Sequence, residues 1–256
     1  MTPFDSLLLG IVEGVTEFLP VSSTGHLILA SALLHIPDSA YSKSFDIIIQ
    51  LGAILAVVAL YWRTFLDIQL LKKLIVAFIP TGIIGLAFYK IVKTYLLGNE
   101  TIVIASLALG GIALIVFELL HHEKPDAKND VSAISYKQAA LIGLAQSVAI
   151  IPGVSRSAAT IVGGMLLGVS RATIVEFSFL LAVPTMAAAT GLDLLKNASS
   201  FSGDQAATLA IGFVTSFVVA IFAIKWLLTY VRKHSFVPIG IYRIIIALLF
   251  ALFMFS

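Results

Sequence analysis

Three observations predict an all-α integral membrane protein with six transmembrane helices and two re-entrant helix–loop–helix hairpins. The 256 residues are 59% hydrophobic and only 12% charged, with mean hydropathy +1.05, whereas a soluble domain carries about 25% charge. Six apolar runs are long enough to cross a bilayer, since a spanning helix needs roughly 20 apolar residues. Two polar islands, Glu13–His26 and Gly143–Thr160, interrupt otherwise apolar sequence. The net charge of +2 gives no reason to expect nucleic acid, because the basic residues cluster in loops. With no cysteines there is no disulfide, thiolate metal site or cysteine nucleophile. The N-terminus does not read as a signal peptide: no Lys or Arg precedes the apolar run, and Asp5, Glu13 and Glu17 interrupt it.

The first apolar run, Phe4 to Leu34, is punctuated by Gly10, Gly14, Pro20 and Gly25. Pro20 removes a backbone donor, and Val21-Ser22-Ser23-Thr24-Gly25 is a poor helix interior, so a loop is predicted over Leu19–Gly25. Broken backbone at bilayer depth is tolerated where it is buried in protein or lines a polar cavity, which favours a re-entrant hairpin over one kinked span. Three spans follow: Phe45 to Trp62, Lys73 to Tyr89 with Pro80 and Gly82 inside, and Thr101 to Leu120. The strongly polar stretch from about 121 to 135 reads as a solvated loop, and His121-His122 as surface residues within it. Past the second island come Thr173 to Leu195 with Pro184 inside, Ala206 to about Leu228, and Ile239 to Phe255.

The second island repeats the first. A shift of 133 lays Gly143 on Gly10, Gln146 on Glu13, Ser155 on Ser22 and Arg156 on Ser23; a shift of 130 lays Glu176 on Asp46. The whole chain, 1–256, is therefore expected to be one membrane domain of two repeats, about 1–120 and 136–256. Each is a hairpin plus three spans. Three is odd, so the second repeat enters the membrane inverted, and such repeats place their site near the midplane. Arg63, Lys72, Lys73, Lys124, Lys128, Lys137, Arg171, Lys225, Arg232 and Lys233 fall on one face, and Lys43, Lys90, Lys93 and Lys196 on the other. Ten against four puts the first face, with the 121–135 loop, in the cytoplasm and both termini outside. Arg243 is set aside as too close to a helix end to assign.

Charge at bilayer depth costs several kcal/mol and marks function. Glu13 and Glu17, four residues apart, share a helix face. Two poorly solvated carboxylates want a proton, a nearby cation or a divalent metal, and Mg²⁺ or Ca²⁺ suits oxygen ligands. Ser22, Ser23 and Thr24 at a backbone break read as anion-binding or nucleophilic hydroxyls, and His26 as a general acid or base. Arg156 matches phosphate oxygens bidentately, with Ser155, Ser157 and Thr160 as neutral donors around it. A structural pair between Arg156 and Glu13 or Glu17 is the plainer alternative and would not exclude phosphate binding. Together these groups suit phosphoryl chemistry on a membrane-embedded substrate. With no Walker A or kinase signature, hydrolysis is favoured over ATP-driven transfer. A lipid-phosphate transporter is the rival class, since inverted repeats and broken helices are also a transporter signature. A structural scaffold is disfavoured by the cost of the buried charges.

At these residues the sequence resembles the undecaprenyl-diphosphate phosphatase, or bacitracin-resistance, family. EGVTEFLPVSSTGH is similar to that family's glutamate-rich motif, and PGVSRSAAT to its PGxSRSxxT pattern, with Ala158 where glycine is common. SFDIIIQLGAILAVV and EFSFLLAVP also look like family segments, so the resemblance covers essentially the whole chain. It implies hydrolysis of undecaprenyl diphosphate to undecaprenyl phosphate and inorganic phosphate in the bacterial inner membrane, recycling a cell-wall lipid carrier and conferring bacitracin resistance. It further implies catalytic roles for Glu13, Glu17, Ser23 and His26, phosphate binding by Arg156, Ser155 and Thr160, and a divalent cation, Mg²⁺ or Ca²⁺. Either Ser23 or a water would attack the terminal phosphorus. The expected partners are the polyprenyl diphosphate and membrane lipids; whether the chain forms a homodimer is left open.

Overall fold

The computed structural model describes residues 1–96, 98–123, 127–197 and 205–255. Lys124, counted in the charge asymmetry, lies outside them. The protein is an all-α polytopic membrane protein, and six described helices have the length and apolarity to cross a membrane. The helices are α1 (Pro3–Thr16), α2 (Ser23–Leu33), α3 (Ala40–Tyr61), α4 (Ile68–Ile91), α5 (Glu100–Leu120), α6 (Tyr136–Gln146), α7 (Arg156–Leu166), α8 (Arg171–Asn197), α9 (Ala206–Val231) and α10 (Val237–Phe255). The six spans are α3, α4, α5, α8, α9 and α10.

Caps set boundaries that apolar runs do not mark. α3 begins five residues before Phe45 because Ser39 and Ser42 form a reciprocal capping box. α4 begins at Ile68 rather than Lys73 because the Asp67 carboxylate accepts from the amides of Gln69 and Leu70. The break predicted over Leu19–Gly25 lies earlier, between α1 and α2, at residues 17–22. Ser22 caps α2, so Ser23, Thr24 and Gly25 form its first turn. The polar connection after α5 is tied down in part. Lys128 pairs through its backbone with Gly168 and Ser170, and its ammonium donates to Ala133 O and to the Gln138 side chain.

Packing is reciprocal between the halves. α1 packs on α9 and α6 on α4, while α5 packs on α10. Glycine makes each contact close. A Cβ on Gly10 would lie 2.7 Å from Gly212 O, and one on Gly143, its counterpart in the repeat, 1.8 Å from Ala77 O. The main core gathers α8 residues Phe177, Phe179 and Leu181 with Phe18, Val57 and Leu74, and so sits beneath the first turn.

Arg243, set aside in the charge asymmetry, lies within a span. It is the seventh residue of α10 and fully buried. Buried within a span, its charge must be satisfied inside the protein.

Candidate active site

The two polar turns are built alike. Ser22 and Ser155 each hold a positive φ, 72° and 78°, and each N-caps the helix that follows. Ser22 Oγ accepts from Gly25 N (3.5 Å) and Ser155 Oγ from Ala158 N (3.2 Å). A non-glycine residue in this region costs on the order of 1–3 kcal/mol, and such strain gathers at functional sites. The conformation is held because each turn is locked into the other: Ser157 Oγ donates to Phe18 O at 2.9 Å. Both turns therefore deliver a helix N-terminus to one place, where an anion is favoured.

The side chains at that junction are complementary. Ser23 Oγ donates to Glu17 Oε2 at 2.5 Å, and Arg156 Nη2 donates to Glu17 Oε1 at 2.8 Å. Glu17 thus joins a hydroxyl of its own turn to a cation of the opposite one. Arg156 Nη1 donates to Ser178 O at 3.0 Å, and the guanidinium lies 5.8 Å over the Phe18 ring. Its Nε, like Ser178 Oγ, is buried without a partner. Glu17, Ser23 and His26 are each 8% exposed and Glu13 is fully buried. Neither Glu13 carboxylate oxygen meets an N–H or hydroxyl donor; the Glu17 carboxyl is in hydrogen-bonding contact with that of Glu13, and Asp46 and Arg156 also act on it electrostatically.

The other predicted residues are placed differently. His26 Nδ1 donates to Ser22 O at 2.8 Å, because a carbonyl can only accept; in the neutral ring Nε2 then accepts from the Tyr242 hydroxyl, also at 2.8 Å. Its ring stacks on Tyr242 rather than bonding Ser23 or Glu17. Ser157 is committed to the inter-turn bond, and Thr160 Oγ1 donates to Arg156 O at 2.8 Å one turn back. Thr24 is exposed, outside the buried junction. Gln146, the counterpart of Glu13, sits in a satisfied neutral network, donating to the hydroxyls of Thr81 (2.9 Å) and Thr185 (3.2 Å).

Sequence reasoning missed Tyr242 and Arg243. Arg243 donates to five carbonyls: Nη1 to Pro20 (3.1 Å) and Val154 (3.0 Å), Nη2 to Gly153 (2.9 Å) and Ser106 (3.1 Å), and Nε to Leu107 (3.4 Å). The signal was present in the chain, as the one charge in α10.

Comparison with known proteins agrees with this chemistry. Residues 6–249 match the family described as Bacitracin resistance protein BacA. Three relatives carry the name undecaprenyl-diphosphatase. One from Sulfurihydrogenibium sp. (strain YO3AOP1) is 54% identical over 98% of this chain and 99% of its own. One from Aquifex aeolicus (strain VF5) is 51% identical over 99% of both. One from Wolinella succinogenes is 51% identical, again over 99% of both. With the motif-bearing turns inside the matched region and nearly full-length identity at about one residue in two, the chain belongs to the bacitracin resistance protein BacA family.

Proposed function

We propose that this protein hydrolyses undecaprenyl diphosphate to undecaprenyl phosphate and inorganic phosphate, recycling a cell-wall lipid carrier and thereby conferring bacitracin resistance. The observation that carries the reading is the buried line Ser23–Glu17–Arg156, a hydroxyl, a carboxylate and a guanidinium drawn from two turns. The relatives' name supplies the substrate. Transport alone needs no hydroxyl held on a carboxylate, and no relative's name supports the transporter reading.

The chain's residues suit an in-line displacement. Ser23 Oγ already donates to Glu17, so Glu17 takes its proton as Oγ attacks the terminal phosphorus. The bond from that phosphorus to the bridging oxygen breaks, undecaprenyl phosphate leaves, and water then cleaves the phosphoserine to inorganic phosphate. Arg156 stabilises the transferring phosphoryl group; its free Nε is a donor still available to a phosphate oxygen. Catalysis of phosphoryl transfer comes mainly from such electrostatic stabilisation and from positioning. The amides and hydroxyls at the starts of α2 and α7, Ser22 and Ser155 among them, add donors for the diphosphate.

A divalent cation, Mg²⁺ or Ca²⁺, fits the donors. Glu13 offers two buried oxygens that meet no N–H or hydroxyl donor and stands in contact with the Glu17 carboxyl, so the two glutamates would hold the cation together. Among the described residues no three His, Cys, Asp or Glu side chains gather as a metal cage; Mg²⁺ needs only one or two carboxylates plus substrate phosphates. Bound there, the cation would neutralise diphosphate charge.

The same reading sets the membrane frame. Helices α1, α2, α6 and α7 have 14, 11, 11 and 11 residues. At 1.5 Å per residue they reach at most about 21 Å, short of a bilayer core of about 30 Å. Their shortness supports the reading that they form two re-entrant hairpins, entering from opposite faces of an inverted repeat. The basic residues put the 121–135 loop in the cytoplasm of a bacterial inner membrane and open the site outward.

The decisive experiment is phosphate release from undecaprenyl diphosphate by detergent-purified protein, with and without chelator. Cation-dependent release is expected, and a phosphoenzyme should be trappable on Ser23. No release from well-folded protein would overturn the phosphatase reading. Release surviving in Ser23→Ala would move the attack to water.

A further inference from the structure

We propose that Tyr242 and Arg243, adjacent on α10, are positioning residues that hold the two polar turns in catalytic register. The proposal rests on the phosphatase reading for its activity test but on geometry for its origin. Arg243 carries five N–H donors, and all five meet carbonyls; no carboxylate bonds it. One comes from the first turn (Pro20), two from the second (Gly153, Val154) and two from α5 (Ser106, Leu107). A single guanidinium thus bonds both turns and the span beside them. A salt bridge would have satisfied its charge with one partner. Spreading the donors over three segments instead fixes those segments relative to each other.

The surrounding sequence makes room for this arrangement. A Cβ on Gly110 would stand 2.1 Å from Arg243 Nη2, so any larger residue there would displace the guanidinium. Gly153, one of the acceptors, has φ +92°, and a Cβ on it would lie 2.7 Å from Val103 O. Arg243 bonds the residue just before Ser155, and Pro20 lies two before Ser22. The bonds therefore fall on the approach to each positive-φ serine.

Tyr242 acts on the first turn alone. Its hydroxyl donates to His26 Nε2, which fixes the ring with Nδ1–H on Ser22 O. Tyr242, His26 and Ser22 form a chain ending at the residue before Ser23. By this account His26 holds the turn that presents Ser23, and Tyr242 holds His26.

Four variants and two readouts test this. Tyr242→Phe keeps the ring and removes only the donor. It should lower kcat for phosphate release about tenfold, the scale seen when a partner that orients a site residue is removed, with KM within about twofold and an unchanged unfolding temperature. Hydrogen–deuterium exchange should quicken over residues 17–27 and not over 151–157. Arg243→Met should quicken exchange in both segments, and Arg243→Lys should recover part of the activity lost in Arg243→Met. Gly110→Ala should resemble Arg243→Lys. If Arg243→Met does not fold, Arg243→Lys carries the exchange measurement. Wild-type kcat in Tyr242→Phe, or wild-type exchange in both turns of the Arg243 variants, would overturn the proposal. If the wild-type protein releases no phosphate, the phosphatase reading fails, while exchange still decides the positioning role.

Discussion

The two polar turns share a backbone and divide the chemistry. Each places a serine at positive φ before an eleven-residue helix, and each serine caps that helix through the amide three residues on. Yet the first turn carries Glu13, Glu17, Ser23 and His26, while the matching positions 146, 150, 156 and 159 hold Gln, Ile, Arg and Ala. The difference shows how a repeated scaffold becomes a site. The backbone supplies two helix N-termini in one place, and divergence of a few side chains makes one turn anionic and the other cationic, so that each satisfies the other across the seam. Gln146 illustrates the same point: a neutral amide in a closed network needs no cation, whereas Glu13 meets no N–H or hydroxyl donor and faces a second carboxyl, Glu17.

The comparison is broken hardest at Glu17, the carboxylate bonded to side chains of both turns. Glu17→Gln should reduce phosphate release by about 10³-fold, within the range for loss of a general base, measured against a protein whose fold is checked by thermal unfolding. Arg156→Lys retains the charge of the second turn and loses the fork. A loss of at least about tenfold, roughly 1.4 kcal/mol, is expected in kcat/KM; near-normal turnover would show that a point charge suffices.

Two further variants sharpen the comparison through stability. Gln146→Glu imposes the chemistry of the first turn on the second. It removes the donors to Thr81 and Thr185 and buries a carboxylate there, so thermal unfolding in detergent should show a cost of about 1–3 kcal/mol. A neutral result would mean that the second half tolerates a carboxylate as the first does. The smallest effect is expected from Ser22→Gly and Ser155→Gly. Glycine relieves the positive φ and costs only a few tenths of a kcal/mol as a cap, so each should shift stability by no more than about 1 kcal/mol, and by similar amounts. A gain in one turn only would mean that the two backbones are not held alike.

Much of the site was legible because polar residues stand out against apolar sequence. Glu13, Glu17 and Arg156 stood out by the cost of their charge and Ser23 by its place in a run of hydroxyls at a backbone break, and the shift of 133 that pairs Ser22 with Ser155 reappears as two matching caps. The partition of labour among them was not legible. Ser157 and Thr160 read as phosphate donors, but their hydroxyls bond backbone carbonyls, a choice that depends on which carbonyl lies within reach. His26 read as an acid or base beside the serines, yet its ring bonds Tyr242, 216 residues away.

By itself, the sequence determined the membrane class, the six spans and the repeated islands. These follow from local composition and periodicity, which the bilayer imposes on every spanning segment. Tertiary structure alone decided which carboxylate meets Arg156, that Glu13 meets no N–H or hydroxyl donor, and that Arg243 lies at the seam of both turns. Those outcomes depend on long-range packing of α1 on α9, α6 on α4 and α5 on α10, and a hydrogen bond between residues far apart in the chain leaves no local pattern in it.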